Sequence, residues 1–220
     1  ADAVSVGAVG LSINRVGSDG STVLVTDASQ SDLRTGGGNG AIVLSSTAGS
    51  ITLNDGANAD GVAISAHGSG NVLVQTLGAN QDITAGANAD ISSTSGNISV
   101  LGAGSVVFNA GADIRTSSTG AGSGSIDVLA GSGAITQDAS SALVSGGASA
   151  TARLQAATGV TVGDIELNDG AVSISAGTGS IVDADALVGG ANDADQDITA
   201  SALRLSAGTS IGESVDHLET

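Results

Sequence analysis

The chain has 220 residues, 35 of them Gly, with one aromatic residue, Phe108, and no Pro, Cys, Met, Trp, Tyr or Lys. Five Arg stand against 22 Asp and Glu, a formal charge of −17, which excludes nucleic acid as an ordinary partner and disfavours anionic membranes, because both need clustered cations. Without rings or thioethers to fill irregular space the core must be narrow enough for Ile, Val, Leu and Ala, and without Cys there is no disulfide frame or thiolate metal site.

Residues 1–39 are the least regular part; VGLSI (9–13) and STVLV (21–25) read as strands of divergent first coils or an end cap. From residue 40 a local pattern takes over: AIVL (41–44), SITL (50–53), VAIS (62–65), NVLV (71–74), NISV (97–100), SVVF (105–108), SIDV (125–128), VTV (160–162) and VSIS (172–175). Each has apolar residues at period two followed by Gly with small polar residues, which is the signature of short strands and tight turns. No 3.6-residue period is sustained, and a hydrophobic fraction of 40% arranged in such even pairs argues against disorder.

Inward anchors fall at Ile91, Ile98, Val106, Ile114, Ile126, Ile135 and Leu143, mostly seven to nine residues apart, with one interval stretched to twelve by the insert TGAGSG (119–124). Asp90-Ile91 returns as Asp113-Ile114 after 23 residues, and DLRT (32–35) returns as DIRT (113–116). GAIVLSSTAGSIT (40–52) aligns without a gap to GSIDVLAGSGAIT (124–136). LNDGA at 53–57 and 167–171, ISA at 64–66 and 174–176, and QDITA at 81–85 and 196–200 recur at shifts of 110–115, near five coils of 23. Repeats of one local unit from residue 40 to 211 point to a solenoid.

The fold expected is therefore all-β, a right-handed parallel β-solenoid with three short strands per coil of about 23 residues. Its divisions are 1–39, first coils or cap; 40–212, solenoid; and 213–220, a polar tail. About eight coils fit, a rod near 40 Å at strand spacing. Absence of Pro follows, since each interior strand uses its N–H groups in pairing. Phe108 shares strand parity with Val106 and should point inward.

With that pattern in hand, GSGAITQDASSALVSGG (131–147) and GSITLNDGANADG (49–61) resemble repeats of large bacterial exoproteins, the filamentous-haemagglutinin-like adhesins and related giant surface proteins. The resemblance covers most of residues 40–211. It implies export, an extracellular or cell-surface location, and a structural or adhesive role as a rigid spacer or cell-contact surface. The implied partners are protein or glycan on a host or partner cell, with no nucleic acid and no membrane insertion, and the chain is expected to be a monomeric segment of a longer one. The Asn-Pro-Asn-Gly type of secretion motif found in such proteins is missing here.

Chemistry candidates are few. Asp193, Asp195 and Asp197 alternate in GGANDADQD (189–197), after Asp183 and Asp185, and are the metal-ligand candidates, for calcium, which takes six to eight oxygens. The alternative function is thus a calcium-dependent binding module with Asp/Asn turns; Asn54/Asp55, Asn58/Asp60 and Asn168/Asp169 are weaker versions. No other cofactor is expected. A second alternative is a carbohydrate-active β-helix enzyme, for which Asp164 and Glu166 could set two carboxylates on one strand face. The favoured expectation is no enzyme, because no acid–base or nucleophilic constellation is evident. His67 and His217 read as surface residues. Thr52 and Thr136, then Thr84 and Thr199, repeat without a regular rank.

Overall fold

The computed structural model describes residues 3–116, 124–185, 195–213 and 217–220. Three parallel seven-stranded sheets form the body, each adding one strand per coil in chain order. The first sheet stacks β1 (Ala3–Val6), β6 (Ser50–Leu53), β9 (Ile83–Ala85), β12 (Val106–Phe108), β15 (Ile135–Gln137), β18 (Val160–Val162) and β21 (Ile181–Asp183). The second stacks β4 (Leu33–Arg34), β7 (Val62–Ala66), β10 (Asp90–Ser93), β13 (Ile114–Thr116), β16 (Ala142–Ser145), β19 (Asp164–Glu166) and β22 (Ile198–Thr199). The third stacks β5 (Ile42–Ser46), β8 (Val72–Thr76), β11 (Ile98–Gly102), β14 (Ile126–Ala130), β17 (Thr151–Ala156), β20 (Ala171–Ala176) and β23 (Ala202–Ala207). Between β1 and β4 the chain leaves the stack as an antiparallel hairpin, β2 (Val9–Val16) with β3 (Thr22–Gln30).

This is the expected three-strand parallel solenoid, and its core is the expected one. All seven sequence-assigned anchors, from Ile91 to Leu143, are buried, and so is Phe108. Inward residues alternate with outward ones along each strand, so the aliphatic columns of the three sheets meet in one continuous core.

Two expectations are corrected. Along the second sheet the directly paired residues Leu33, Ile64, Ile91, Ile114, Leu143, Ile165 and Ile198 are 31, 27, 23, 29, 22 and 33 residues apart. The 23-residue repeat is real but is only one step of that ladder, because corners absorb insertions while strands keep register. Seven strands per sheet rather than eight coils give a body of about 29 Å. The long repeats at shifts of 110–115 are not coil-equivalent either. QDITA lies at β9 in the first sheet and again at β22 in the second, and ISA lies at β7 and at β20, one sheet further on. The three faces use the same strand-and-turn grammar, so one motif serves any of them.

Corners are held by polar ladders running up the stack. Asp90 Oδ1 accepts the Asp113 N–H at 3.0 Å, and Asp113 Oδ1 accepts the Ala142 N–H at 2.6 Å. Ser50 Oγ accepts from the Asp82 N–H and Asp82 Oδ1 from the Ser105 N–H, at 3.0 and 2.7 Å. Asn71 Oδ1 accepts the Asn97 N–H, and Asn97 Oδ1 the Ser125 N–H, each at 2.9 Å. At these six corners the residue at or just before the start of the strand thus satisfies a backbone donor one coil higher, which is why Asp, Asn and Ser recur there.

The 1–39 segment contributes the first strands of two sheets, β1 beneath β6 and β4 beneath β7, with the projecting hairpin between them. Within the polar 213–220 tail, Leu218 packs on the core and the Glu219 carbonyl accepts the Ile198 N–H at 3.0 Å, so this part of the tail covers β22. The Thr residues also align more than expected. Thr52, Thr84, Thr136 and Thr161 share one outward column of the first sheet, interrupted by Val107. That column is one residue wide, and Thr199 lies on another sheet.

Candidate functional site

The chemistry concentrates on the outer face of the second sheet. Five of its seven strands, β4, β10, β13, β19 and β22, carry Asp at or just before their first residue, then an aliphatic residue, then an outward side chain that points to the same side as the Asp. In β4 and β13 that side chain is Arg. Arg34 pairs with Asp32 and Asp60, and Arg115 with Asp113 and, at 3.6 Å, with Asp90. In β19 the same position holds Glu166.

The substitution of acid for base changes the electrostatics of the upper coils. Among the described residues no arginine pairs with Asp164, Glu166 or Asp197. Asp164, Glu166, Asp185, Asp195 and Asp197 line one polar cleft of about 540 Å³ together with Asn168, Gln196 and Thr199. Burial pushes the Asp164 carboxyl up to about 6, aided by its hydrogen bond to Glu166 and by the charges of Glu166, Asp113 and Asp185. Asp90, lower on the same face, is also pushed up to about 6 by burial, with the Asp113 N–H and the Arg115 charge opposing and the Asp113 and Asp55 charges adding to the rise.

At the inner wall, Asp197 directly precedes Ile198, whose pairing with Ile165 sets it one coil above Asp164. Asp183 reaches the same corner from the end of β21, and Glu219 from the tail over β22. One carboxylate oxygen from each of Asp183, Asp197 and Glu219 lies within 4.8 Å of the other two, and Asp183 and Asp197 are buried. Asp197 is only 3% exposed, and its Oδ2 accepts the Glu219 N–H at 2.7 Å. Burial pushes its carboxyl up to about 8, with that N–H opposing and the Asp183 and Glu219 charges adding to the rise.

Two sequence candidates therefore meet in one place. The Asp164/Glu166 pair and the acidic turn share the cleft, Asp195 at its rim and Asp197 at its inner wall. Asp193 lies outside the described residues. Asp183 joins Asp197 across the corner; Glu219, missed by sequence reasoning, joins from a segment read as a tail. No local spacing signals either contact, because both depend on which strand stacks above which.

The acidic turn at 54–60 has a structural role, whereas Asn168 lines the cleft. Asp55 Oδ1 accepts the Gly61 N–H at 2.9 Å, Asn58 Oδ1 accepts the Ser31 hydroxyl at 2.7 Å, and Asp60 pairs with Arg34. His67 is exposed beside a turn, and His217 is exposed within the tail.

Three carboxylates this close suit a hard divalent cation, whose oxygen ligands sit about 2.3–2.6 Å from the metal; Asp183, Asp197 and Glu219 are the residues that could hold it. They suit paired-acid glycoside hydrolysis less well. Asp164 and Glu166 are in hydrogen-bond contact, whereas the two carboxyls of such a site stand about 5 Å or more apart around the sugar.

The raised carboxyls make stability fall with pH. A group whose folded pKa lies above its unfolded value binds more protons when folded, so its stabilising contribution is complete below about 4 and is lost as pH rises through the folded value. The melting temperature at constant ionic strength should drop from pH 5.5 to pH 9, in the range set by Asp90 and Asp164 near 6 and Asp197 near 8. Asp197→Asn should flatten the fall above pH 7, and Glu166→Arg should reduce the fall near pH 6. A melting temperature that rises over this range in the wild type would contradict the assignment.

No helix of the described residues is long and apolar enough to cross a membrane. Compared with known proteins, the chain matches no family model, no curated protein and no solved structure.

Proposed function

We propose that this chain is a rigid structural and adhesive segment of a large secreted or cell-surface bacterial protein, with its outward side chains forming the contact surface. The observation that supports it most is the core: aliphatic columns run unbroken through three sheets of seven strands, with backbone pairing above and below each interior strand. Such a body resists bending. Its outward positions are free to vary, since each coil is held by its neighbours rather than by its surface. Beads coated with the chain should bind a host or partner cell surface, and soluble chain should compete. Failure to bind any cell, protein or glycan surface, together with turnover of an acidic polysaccharide, would replace this reading with the enzymatic one.

The Asp183–Asp197–Glu219 cluster favours a second reading, a calcium-dependent contact module. A cation there would take the place of the proton that the raised Asp197 otherwise carries near neutral pH. Millimolar calcium should then raise the melting temperature saturably. A concentration one hundred times the dissociation constant stabilises by about 2.7 kcal/mol. The double variant Asp183→Asn, Asp197→Asn should lose this effect. If NaCl of matched ionic strength gives the same rise, calcium is only screening the charge of −17 and this reading falls.

A further inference from the structure

We propose that the β2–β3 hairpin is a self-association element that packs face to face with the same hairpin of a second copy of this chain, in a two-fold arrangement that reverses strand direction. The hairpin stands outside the stack, and its residues are exposed on nearly every side. An isolated two-stranded hairpin is at best marginally stable in water, so an apolar face on one needs a cover.

Pairing register assigns the two faces. Directly opposed residues of an antiparallel pair point to the same side. Leu11 opposes Asp27, Ile13 opposes Val25, and Arg15 opposes Val23. This face therefore carries Leu11, Ile13, Val23 and Val25 as a contiguous apolar block, extended by Val9. The other face pairs Ser12 with Thr26, joined by a hydroxyl–hydroxyl bond of 3.1 Å, Asn14 with Leu24 and Val16 with Thr22, so each of its two aliphatic side chains stands opposite a polar one. Ile13, Leu11, Val23 and Val9 are 48–67% exposed, four large aliphatics on one face, whereas the exposed aliphatics of the body, Val43, Leu77, Leu203 and Ile211, are scattered along it.

Charge placement identifies the occupant. The apolar face carries one cation and one anion, Arg15 toward the turn and Asp27 toward the base. Each lies two residues from the central Ile13–Val25 row, about 6.8 Å along the strand. A two-fold axis in the interface plane, perpendicular to the strands at that row, sets the Arg15 row of one hairpin over the Asp27 row of the other, twice. The apolar side chains interdigitate between these rows, at a sheet separation of about 10 Å that a long Arg side chain can span. Arg15 has no ion pair among the described residues, although acids outnumber bases by 22 to 5 in the chain. The isologous arrangement is self-complementary, as two-fold interfaces must be.

A face this small buries less than the roughly 1,200 Å² of a standard stable interface, so the dimer is weak and concentration-dependent. It becomes effective where copies are held side by side, since a tethered neighbour is present at high local concentration. This departs from the monomeric expectation and does not depend on what the rod contacts.

Sedimentation equilibrium of the whole chain, from about 10 to about 500 µM, should show a monomer–dimer equilibrium in this range. Arg15→Asp and Asp27→Arg should each weaken it about tenfold or more, and the double exchange should return it to within about threefold of wild type. Ile13→Asp should abolish it. General repulsion cannot mimic this result: Asp27→Arg lowers the formal charge from −17 to −15 and would strengthen association if only net charge mattered. Circular dichroism should be unchanged in all variants, because none touches the stack. A wild type that stays monomeric to about 500 µM, association that survives Ile13→Asp, or a double exchange that fails to restore it would each overturn the proposal.

Discussion

Phe108→Ala should destabilise the chain by about 3–5 kcal/mol, the range for removing a buried ring that the surroundings cannot replace. Phe108 is 4% exposed and sits at the inward end of β12, between Ala85 of the coil below and Gln137 of the coil above. Neither neighbour can fill the space: Ala85 is too short, and Gln137, itself buried, would turn a polar end into an apolar cavity. Urea melts should show a lower midpoint with an unchanged slope, since the surface exposed on unfolding barely changes. A loss below about 1 kcal/mol would mean that the ring does not complete the core.

Gly96→Ala should be about as damaging for the opposite reason. Gly40, Gly70, Gly96 and Gly124 form a column at the corner before the third sheet, one per coil. A Cβ on Gly70 would collide with the Gly40 carbonyl, one on Gly96 with the Gly70 carbonyl, and one on Gly124 with the Gly96 carbonyl. The obstacles are backbone atoms that cannot swing aside, so a methyl group must push two coils apart. Overpacking of this kind costs about 1–3 kcal/mol where the site can relax, and more where it cannot. Alanine at Gly36, where no atom lies near the added Cβ, should change stability by less than about 0.5 kcal/mol. Equal effects at the two sites would refute the stacking explanation.

Much of this was legible because inward direction is a local property. Period-two alternation gives side-chain parity without knowing the partner strand, which is why Ile91, Val106, Phe108 and Ile135 were assigned correctly. Asp90-Ile91 and Asp113-Ile114, assigned as coil equivalents, are stacked in direct register. The face a strand occupies is not local. QDITA moved from the first sheet to the second because unequal corners shift the count of strands. Contacts that span a corner were hidden for the same reason, so Asp197 appeared as one of three alternating acids when its neighbours are Asp183 and Glu219. The Arg-to-Glu exchange between DIRT and DIEL was readable, and it marks the face that turns acidic. The hairpin could also have been seen. GSDGS at 17–21 is a short Gly-containing loop between two alternating runs, but alternation alone does not separate a hairpin from a divergent coil.

The central claim, that stacked coils are interchangeable units, is tested most directly by deleting residues 90–112. This removes β10, β11 and β12, one complete coil, and joins Ala89 to Asp113. The corners at the junction are alike: Ala89 donates to Gly86 and Ala112 to Asn109, and Asn88 and Gly111 both adopt positive φ, 55° and 67°. Ile64 should then pair with Ile114, Val72 with Ile126 and Ile83 with Ile135, the partners each strand already approaches through the missing coil. The account predicts a chain that keeps its β-type circular dichroism and unfolds cooperatively with a denaturant slope reduced in proportion to the lost buried surface. Deletion of 90–101, which removes β10 and most of β11, should instead bring strands to the wrong corner and cause aggregation or much earlier melting. Loss of folding in the 23-residue deletion, or equal behaviour of the two deletions, would contradict the solenoid account.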